Sequence, residues 1–192
     1  VLTARGYEVV MTRTGDDPVS LYERAEIANG RRSDLFLSIH ANASTITQAA
    51  GVETYYLNFA NSASAAAVAA RENAVSGQPM NALPEFVRAI ALNGKQDESR
   101  DFAGQVQRAL VQRLKPANQN LRDLGVKQAP FVVLIGASMP SVLAEVAFIT
   151  NDQEGRLLKG TNYRQRIAEA LFTAVQRYQS SLTHERDAVG QE

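Results

Sequence analysis

The sequence predicts an α/β fold: a single domain on a mostly parallel, twisted sheet with helices on both faces. Three observations predict it. Short apolar runs such as Leu35 to Ile39 and Ser141 to Val146 have the length and composition of strands buried on both sides. Segments with apolar residues at helical spacing lie between the runs. Over 192 residues, 45% apolar and 21% charged side chains is ordinary globular composition, enough for one substantial core.

Each element has its own signal. Val1 to Arg5 reads as a last helical turn, and Gly6 suits the left-handed residue that ends many helices. Tyr7 to Thr12 reads as a strand. A helix end without a beginning suggests an earlier strand and helix upstream of Val1. Asp16-Asp17-Pro18 reads as a helix start, an acidic cap followed by proline, for a helix to about Gly30 that buries Leu21, Ala25 and Ala28. Leu35 to Ile39 is a buried strand. Gly51 to Leu57 is another, antiparallel because only the loop after His40 separates the two.

Residues 60–96 read as a helical insertion between framework elements: alanine-rich Ser62 to Val75, a break at Ser76-Gly77-Gln78-Pro79, and a short helical stretch from Leu83 to Leu92. Asp97 to Leu114 is a helix with Phe102, Val106, Leu110 and Leu114 on one face. Phe131 to Ile135 and Ser141 to Val146 read as strands. Asn162 to Tyr178 is the last helix, burying Ile167, Leu171, Val175 and Tyr178. The domain thus spans 1–178, and 179–192 reads as a polar, frayed tail.

Composition excludes several function classes. Twenty basic and twenty acidic side chains leave no strongly basic surface, which argues against a nucleic-acid partner. No cysteine is present, so disulfides, thiolate metal sites and cysteine nucleophiles are excluded. No apolar run is long enough to cross a bilayer. Gly136-Ala137-Ser138-Met139-Pro140 lacks the last glycine of a nucleophile elbow, and the only histidine after it is His184 in the tail, so Ser138 reads as a turn residue. Arg31-Arg32 and Arg122-Asp123 read as solvated charges.

In open α/β sheets, ligands bind beyond the carboxyl ends of the strands. Two candidates end strands here: His40 after Leu35 to Ile39, and Glu145 within Val142 to Phe148. Alone, His40 reads as a strand-end histidine bonded to backbone. Alone, Glu145 reads equally as a solvent-facing carboxylate or as a functional one, since burying it without a partner is expensive. Together, an imidazole and a carboxylate on one rim suit a metal site, with the carboxylate as ligand or general base.

Several segments in order resemble the zinc N-acetylmuramoyl-L-alanine amidases. They are Gly6-Tyr7-Glu8-Val9 to Arg13, Leu21 to Asn29, Leu37-Ser38-Ile39-His40-Ala41-Asn42-Ala43, and Gly51-Val52-Glu53-Thr54-Tyr55-Tyr56. Leu124 to Ala129 with Phe131 to Leu134, Pro140 to Glu145, and Phe148-Ile149-Thr150-Asn151 complete the set. Together they cover nearly the whole chain to about Tyr178.

The resemblance implies hydrolysis of the amide between N-acetylmuramic acid and L-alanine in peptidoglycan, with zinc (Zn2+) as cofactor. The family's zinc-binding histidine falls on His40 and its catalytic glutamate on Glu145. Two further ligands are expected upstream of Val1, so this stretch by itself is expected to be inactive. Division-associated relatives carry a site-plugging helix where the insertion lies, which makes Glu72 a candidate autoinhibitory residue beside a surface-helix reading. Peptidoglycan, an activating protein partner and an extracytoplasmic place in the periplasm or cell wall are the implied setting. Two other functions remain open: a wall-binding or regulatory module of the same fold without catalysis, and a related zinc exopeptidase.

Overall fold

Eight consecutive buried residues, Ser141–Phe148, form the strand around which the molecule assembles. A run buried on both faces suits the middle of a covered sheet. The structure, a computed structural model, describes residues 1–74, 90 and 94–189, with side chains as far as Leu182. Its sheet has four strands: β1 (Phe36–Asn42), β2 (Val52–Leu57), β3 (Asp123–Ala129) and β4 (Ser141–Phe148), in the order β1-β4-β2-β3. β1 runs parallel to β4, β2 antiparallel to β4, and β3 parallel to β2. The sheet is therefore mixed and mostly parallel, as expected. The segment after the His40 loop is indeed reversed, but it pairs with β4 and not with β1.

Among the described residues five helices flank the sheet: α1 (Leu21–Gly30), α2 (Ala63–Ala74), α3 (Gln96–Leu114), α4 (Asp152–Lys159) and α5 (Thr161–Val189). One face of the sheet packs against α1 and α2 through Tyr55, Leu57 and Leu143, with Leu21, Ala25, Ala65, Val68 and Ala69 opposite. The alanines let α2 lie close to the sheet. The other face packs against α3 and α5. There Phe102, Val106, Leu110 and Leu114 are fully buried, and the Phe102 ring sits 5.2 Å from that of Tyr178. Each such side chain contributes roughly 1.5–3 kcal/mol on burial. Among the described residues no helix is long and apolar enough to cross a membrane.

Several elements differ from expectation. Thr3–Arg5 is a short 3-10 turn closed by left-handed Gly6, as the sequence suggests. Tyr7 to Thr12 is not a strand: among the described residues β1 is an edge strand, and this segment does not pair with its outer side. Its Tyr7 instead turns to α5, where the hydroxyl donates to Gln179 and the ring packs edge-on against Phe172. The first helix is capped by Ser20, whose Oγ accepts from the Glu23 amide, and not by Asp16 or Asp17. Ser20 and Glu23 have the spacing of a capping box, which outcompetes the acidic pair upstream.

Phe131 to Ile135 is a buried 3-10 turn at Val132–Leu134, since a short apolar run does not by itself distinguish strand from buried turn. The strand in that region is β3, whose Asp123, Gly125, Lys127 and Gln128 dilute any strand pattern. α4 was not expected. The final helix continues to Val189 and does not fray from Gln179. The break at 76–79 lies outside the described residues. So does the stretch over 83–92, apart from Ile90, a buried helical residue.

Candidate metal centre

Register across three strands builds the site. His40 stands opposite Glu145 in the parallel β1–β4 pair, and Glu53 stands opposite Glu145 in the antiparallel β2–β4 pair. Directly paired residues project to the same face, so His40, Glu145 and Glu53 form a row across the sheet beneath α2. Irregularities flank the row. β4 places Val146 and Ala147 against Ala41 alone, and β3 places Leu124 and Gly125 against Glu53 alone. Such bulges bend a strand and re-aim its side chains.

The last turn of α2 closes over the row. Glu72 Oε2 lies 2.6 Å from His40 Nδ1. Arg71 donates to Asn42 Oδ1 at 2.9 Å. Asn73 donates to the Pro130 carbonyl and accepts from the Val132 amide, which pins α2 to the turn after β3. Asn42 in turn donates to Glu53 at 2.8 Å, and Lys127 Nζ donates to the other Glu53 oxygen at 2.5 Å. Glu53 is thus buried but matched.

Glu145 is the opposite case. It is fully buried, and neither carboxylate oxygen has a hydrogen-bond partner among the described residues. Burial, and then the neighbouring carboxylates of Glu72 and Glu53, push its carboxyl up to about 8 against a smaller opposing pull from Arg71. Burial and Glu53 also raise the Tyr55 hydroxyl. One ligand atom each from His40, Glu72 and Glu145 lie within 4.8 Å of one another, a grouping that could hold a metal ion. An open recess of about 470 Å³ on the α3 face, lined by Tyr56, Arg100 and Arg108 among others, contains none of these three.

The structure therefore brings together His40, Glu145 and Glu72, the three residues singled out in the sequence. Glu53, Asn42, Arg71 and Lys127 were not singled out. Glu53 carried the signal that marked Glu145, a carboxylate inside an apolar strand. The others become visible only through register. Ser138 is a turn residue, its amide and hydroxyl both bonded to Asn29 Oδ1. Asp123 is exposed but not merely solvated, since it accepts from buried Gln107.

Comparison with known proteins decides the family. The family described as N-acetylmuramoyl-L-alanine amidase matches residues 1–177. The chain belongs to it. Among curated relatives, amidase AmiA of Salmonella typhimurium is 36% identical over 183 residues, covering 93% of this chain and 63% of that protein. AmiA of Escherichia coli is 35% identical over the same shares. LytC of Bacillus subtilis is 33% identical, covering 92% of this chain and 28% of LytC. The amidase domain thus spans less than two thirds of these relatives. Among solved structures, an N-acetylmuramoyl-L-alanine amidase from Clostridium difficile aligns with a TM-score of 0.64 at 27% identity, over 91% of this chain and 73% of that one. The catalytic domain of CwlV from Bacillus (Paenibacillus) polymyxa aligns at 0.60 and 25%, over 90% and 73%.

Proposed function

We propose that the amidase domain cleaves the amide joining the lactyl group of N-acetylmuramic acid to L-alanine, releasing stem peptides from peptidoglycan. The observation that carries this reading is the convergence of His40, Glu72 and the unpartnered, fully buried Glu145 on one rim of the sheet. Family membership supplies the substrate class. An exported place in the periplasm or cell wall follows from that substrate.

The donor set fits zinc, which takes imidazole nitrogen and carboxylate oxygen. Two buried carboxylate oxygens without partners are what a cation-binding rim would leave in the ion-free protein. His40 would be a ligand. A catalytic zinc site uses three protein ligands, and with Glu145 kept for proton transfer the cluster offers fewer. The reading therefore needs ligands beyond His40, and expects the residues of this cluster alone to hold zinc weakly.

Zinc would supply Lewis-acid chemistry here, lowering the pKa of water from about 16 toward 7 and polarising a carbonyl oxygen. Glu145 takes a proton from the attacking water at one carboxylate oxygen and delivers it to the leaving nitrogen. The water oxygen bonds to the carbonyl carbon as the carbon–nitrogen bond breaks. A cation nearby favours the ionised carboxylate, offsetting the burial that raises it. Lys127 and Asn42 hold Glu53 in place beside it.

A second element of the reading concerns regulation. The contact of Glu72 with His40 supports reading α2 as a cover over the position that substrate needs, and residues 60–96 as a plug. An activating partner would lift α2. Deleting residues 60–95 from the full-length protein should raise turnover, and unchanged or lost turnover counts against the plug.

Mass spectrometry of products from defined muropeptides tests the main reading. The expected result is stem peptide with a free L-alanine terminus, abolished by chelation and restored by zinc. Cleavage of free peptides without a muramyl group would point to an exopeptidase, and binding without cleavage to a wall-binding module.

A further inference from the structure

The geometry points to Glu154 as a positioning residue: its buried carboxylate clamps the bulged end of β4 to the start of β2 and so fixes Glu145 in its working orientation. The inference rests on the assignment of Glu145 as the base. Glu154 is 1% exposed and lies in the first turn of α4, where its amide is capped by Asn151 Oδ1. One carboxylate oxygen accepts from the Gly51 amide at 3.0 Å and from Asn118 Nδ2 at 3.3 Å. The other accepts from the Phe148 amide at 2.7 Å.

The two backbone partners are specific. Phe148 is the first residue after the Val146–Ala147 irregularity in β4, and Gly51 immediately precedes β2. A bulge bends its strand and re-aims the side chains beside it, so the aim of Glu145 depends on how both sides of the bulge are held. The Glu145 side is held by pairing with His40 and Glu53. The far side is held by Glu154 and by the Ile149 amide donating to the Asn42 carbonyl. Gly51 admits no other residue: its φ is +125°, and a Cβ there would stand 2.4 Å from the Arg122 carbonyl oxygen. That close approach lets the Val52 amide reach the same oxygen and sets where Glu53 starts its climb beside Glu145. One side chain therefore joins both strands whose carboxylates face each other, without touching the reacting atoms.

Full-length Glu154→Gln keeps the side-chain volume but turns a donor toward the Gly51 or Phe148 amide. Turnover on purified peptidoglycan is expected to fall about 10- to 100-fold, the range for a base displaced by up to an ångström. KM and zinc affinity should stay at wild-type values, because His40 sits on β1, outside the clamp. Wild-type kcat overturns the proposal, as does a parallel loss of zinc affinity, which marks general disruption. Should the variant not fold, hydrogen exchange in the wild type decides: Gly51 and Phe148 amides as slow as interior β4 amides support the clamp, and loop-like rates overturn it. Glu145→Gln assayed alongside separates the two readings. An active Glu145→Gln refutes the base, whereas the exchange rates still report on the clamp.

Discussion

Two regions at the carboxyl end of β4 each bury a glutamate, and they treat it in opposite ways. Glu154, under the first turn of α4, receives two backbone amides and an asparagine amide, whereas Glu145, under α2, receives nothing from the described residues. Both are at or below 1% exposure. Burial pushes both carboxyls upward. For Glu145 the flanking carboxylates add to that push, while for Glu154 the three donors oppose it. A buried charge with donors is a structural joint. A buried charge without them is a site waiting for a cation or a proton, held in place by the rest of the fold.

The largest expected effect tests that division. Glu145→Gln in the full-length protein should lose about 10²- to 10⁴-fold in turnover, the usual worth of a general acid–base group, yet still bind zinc and melt no lower than wild type. Release of stem peptides and a zinc titration check this, and residual turnover near wild type would break the contrast. Glu154→Ala should do the reverse to stability. Orphaning three buried donors costs about 3–5 kcal/mol, read by denaturant unfolding. A loss below about 1 kcal/mol would mean that water replaces the clamp.

The pH dependence sharpens the comparison. A glutamate raised from 4.5 to about 8 holds its proton in the folded protein where the unfolded chain has released it. Its contribution to stability is therefore complete below pH 4.5 and is lost as pH rises toward 8. Melting of the ion-free protein should fall across that window, and Glu145→Gln should flatten most of the slope. Glu154 contributes with the same sign, so the difference between wild type and Glu145→Gln isolates Glu145. A slope that the substitution leaves unchanged would refute the unpartnered state of that carboxyl.

The smallest effect belongs to the gate. Gln in place of Glu72 keeps a hydrogen-bond acceptor beside half-buried His40, so Glu72→Gln should change stability by only about 1 kcal/mol. It should raise turnover of the full-length protein a few-fold if α2 occludes the rim, measured with the same product assay.

Much of this was legible in the chain. The stripe of Phe102, Val106, Leu110 and Leu114 and the apolar run of β4 identify their elements, because burial repeats at the period of the backbone and a few neighbours suffice to show it. The rule that chemistry gathers at strand ends nominated His40 and Glu145 for one rim, and the β1–β4 register sets them side by side. β3 was not legible, since a half-exposed edge strand carrying Asp123, Lys127 and Gln128 has no periodic pattern. Tyr7 to Thr12 shows the converse, a strand-like pattern in a segment whose Tyr7 packs on α5 and which joins no sheet edge.

By itself, then, the sequence determined the kind of its strongly periodic and uniformly apolar elements, residues able to fill two cores, and the two strand ends where a metal and a base could meet. Only the tertiary structure decided that β4 lies between β1 and β2, and hence that Glu53, Lys127, Asn42 and Arg71 share the site while Glu154 locks it. The physical reason is range. Periodicity is written into adjacent residues, whereas strand order and register arise from competition for buried surface between segments far apart in the chain, and a shift of one residue would turn Glu145 to the other face.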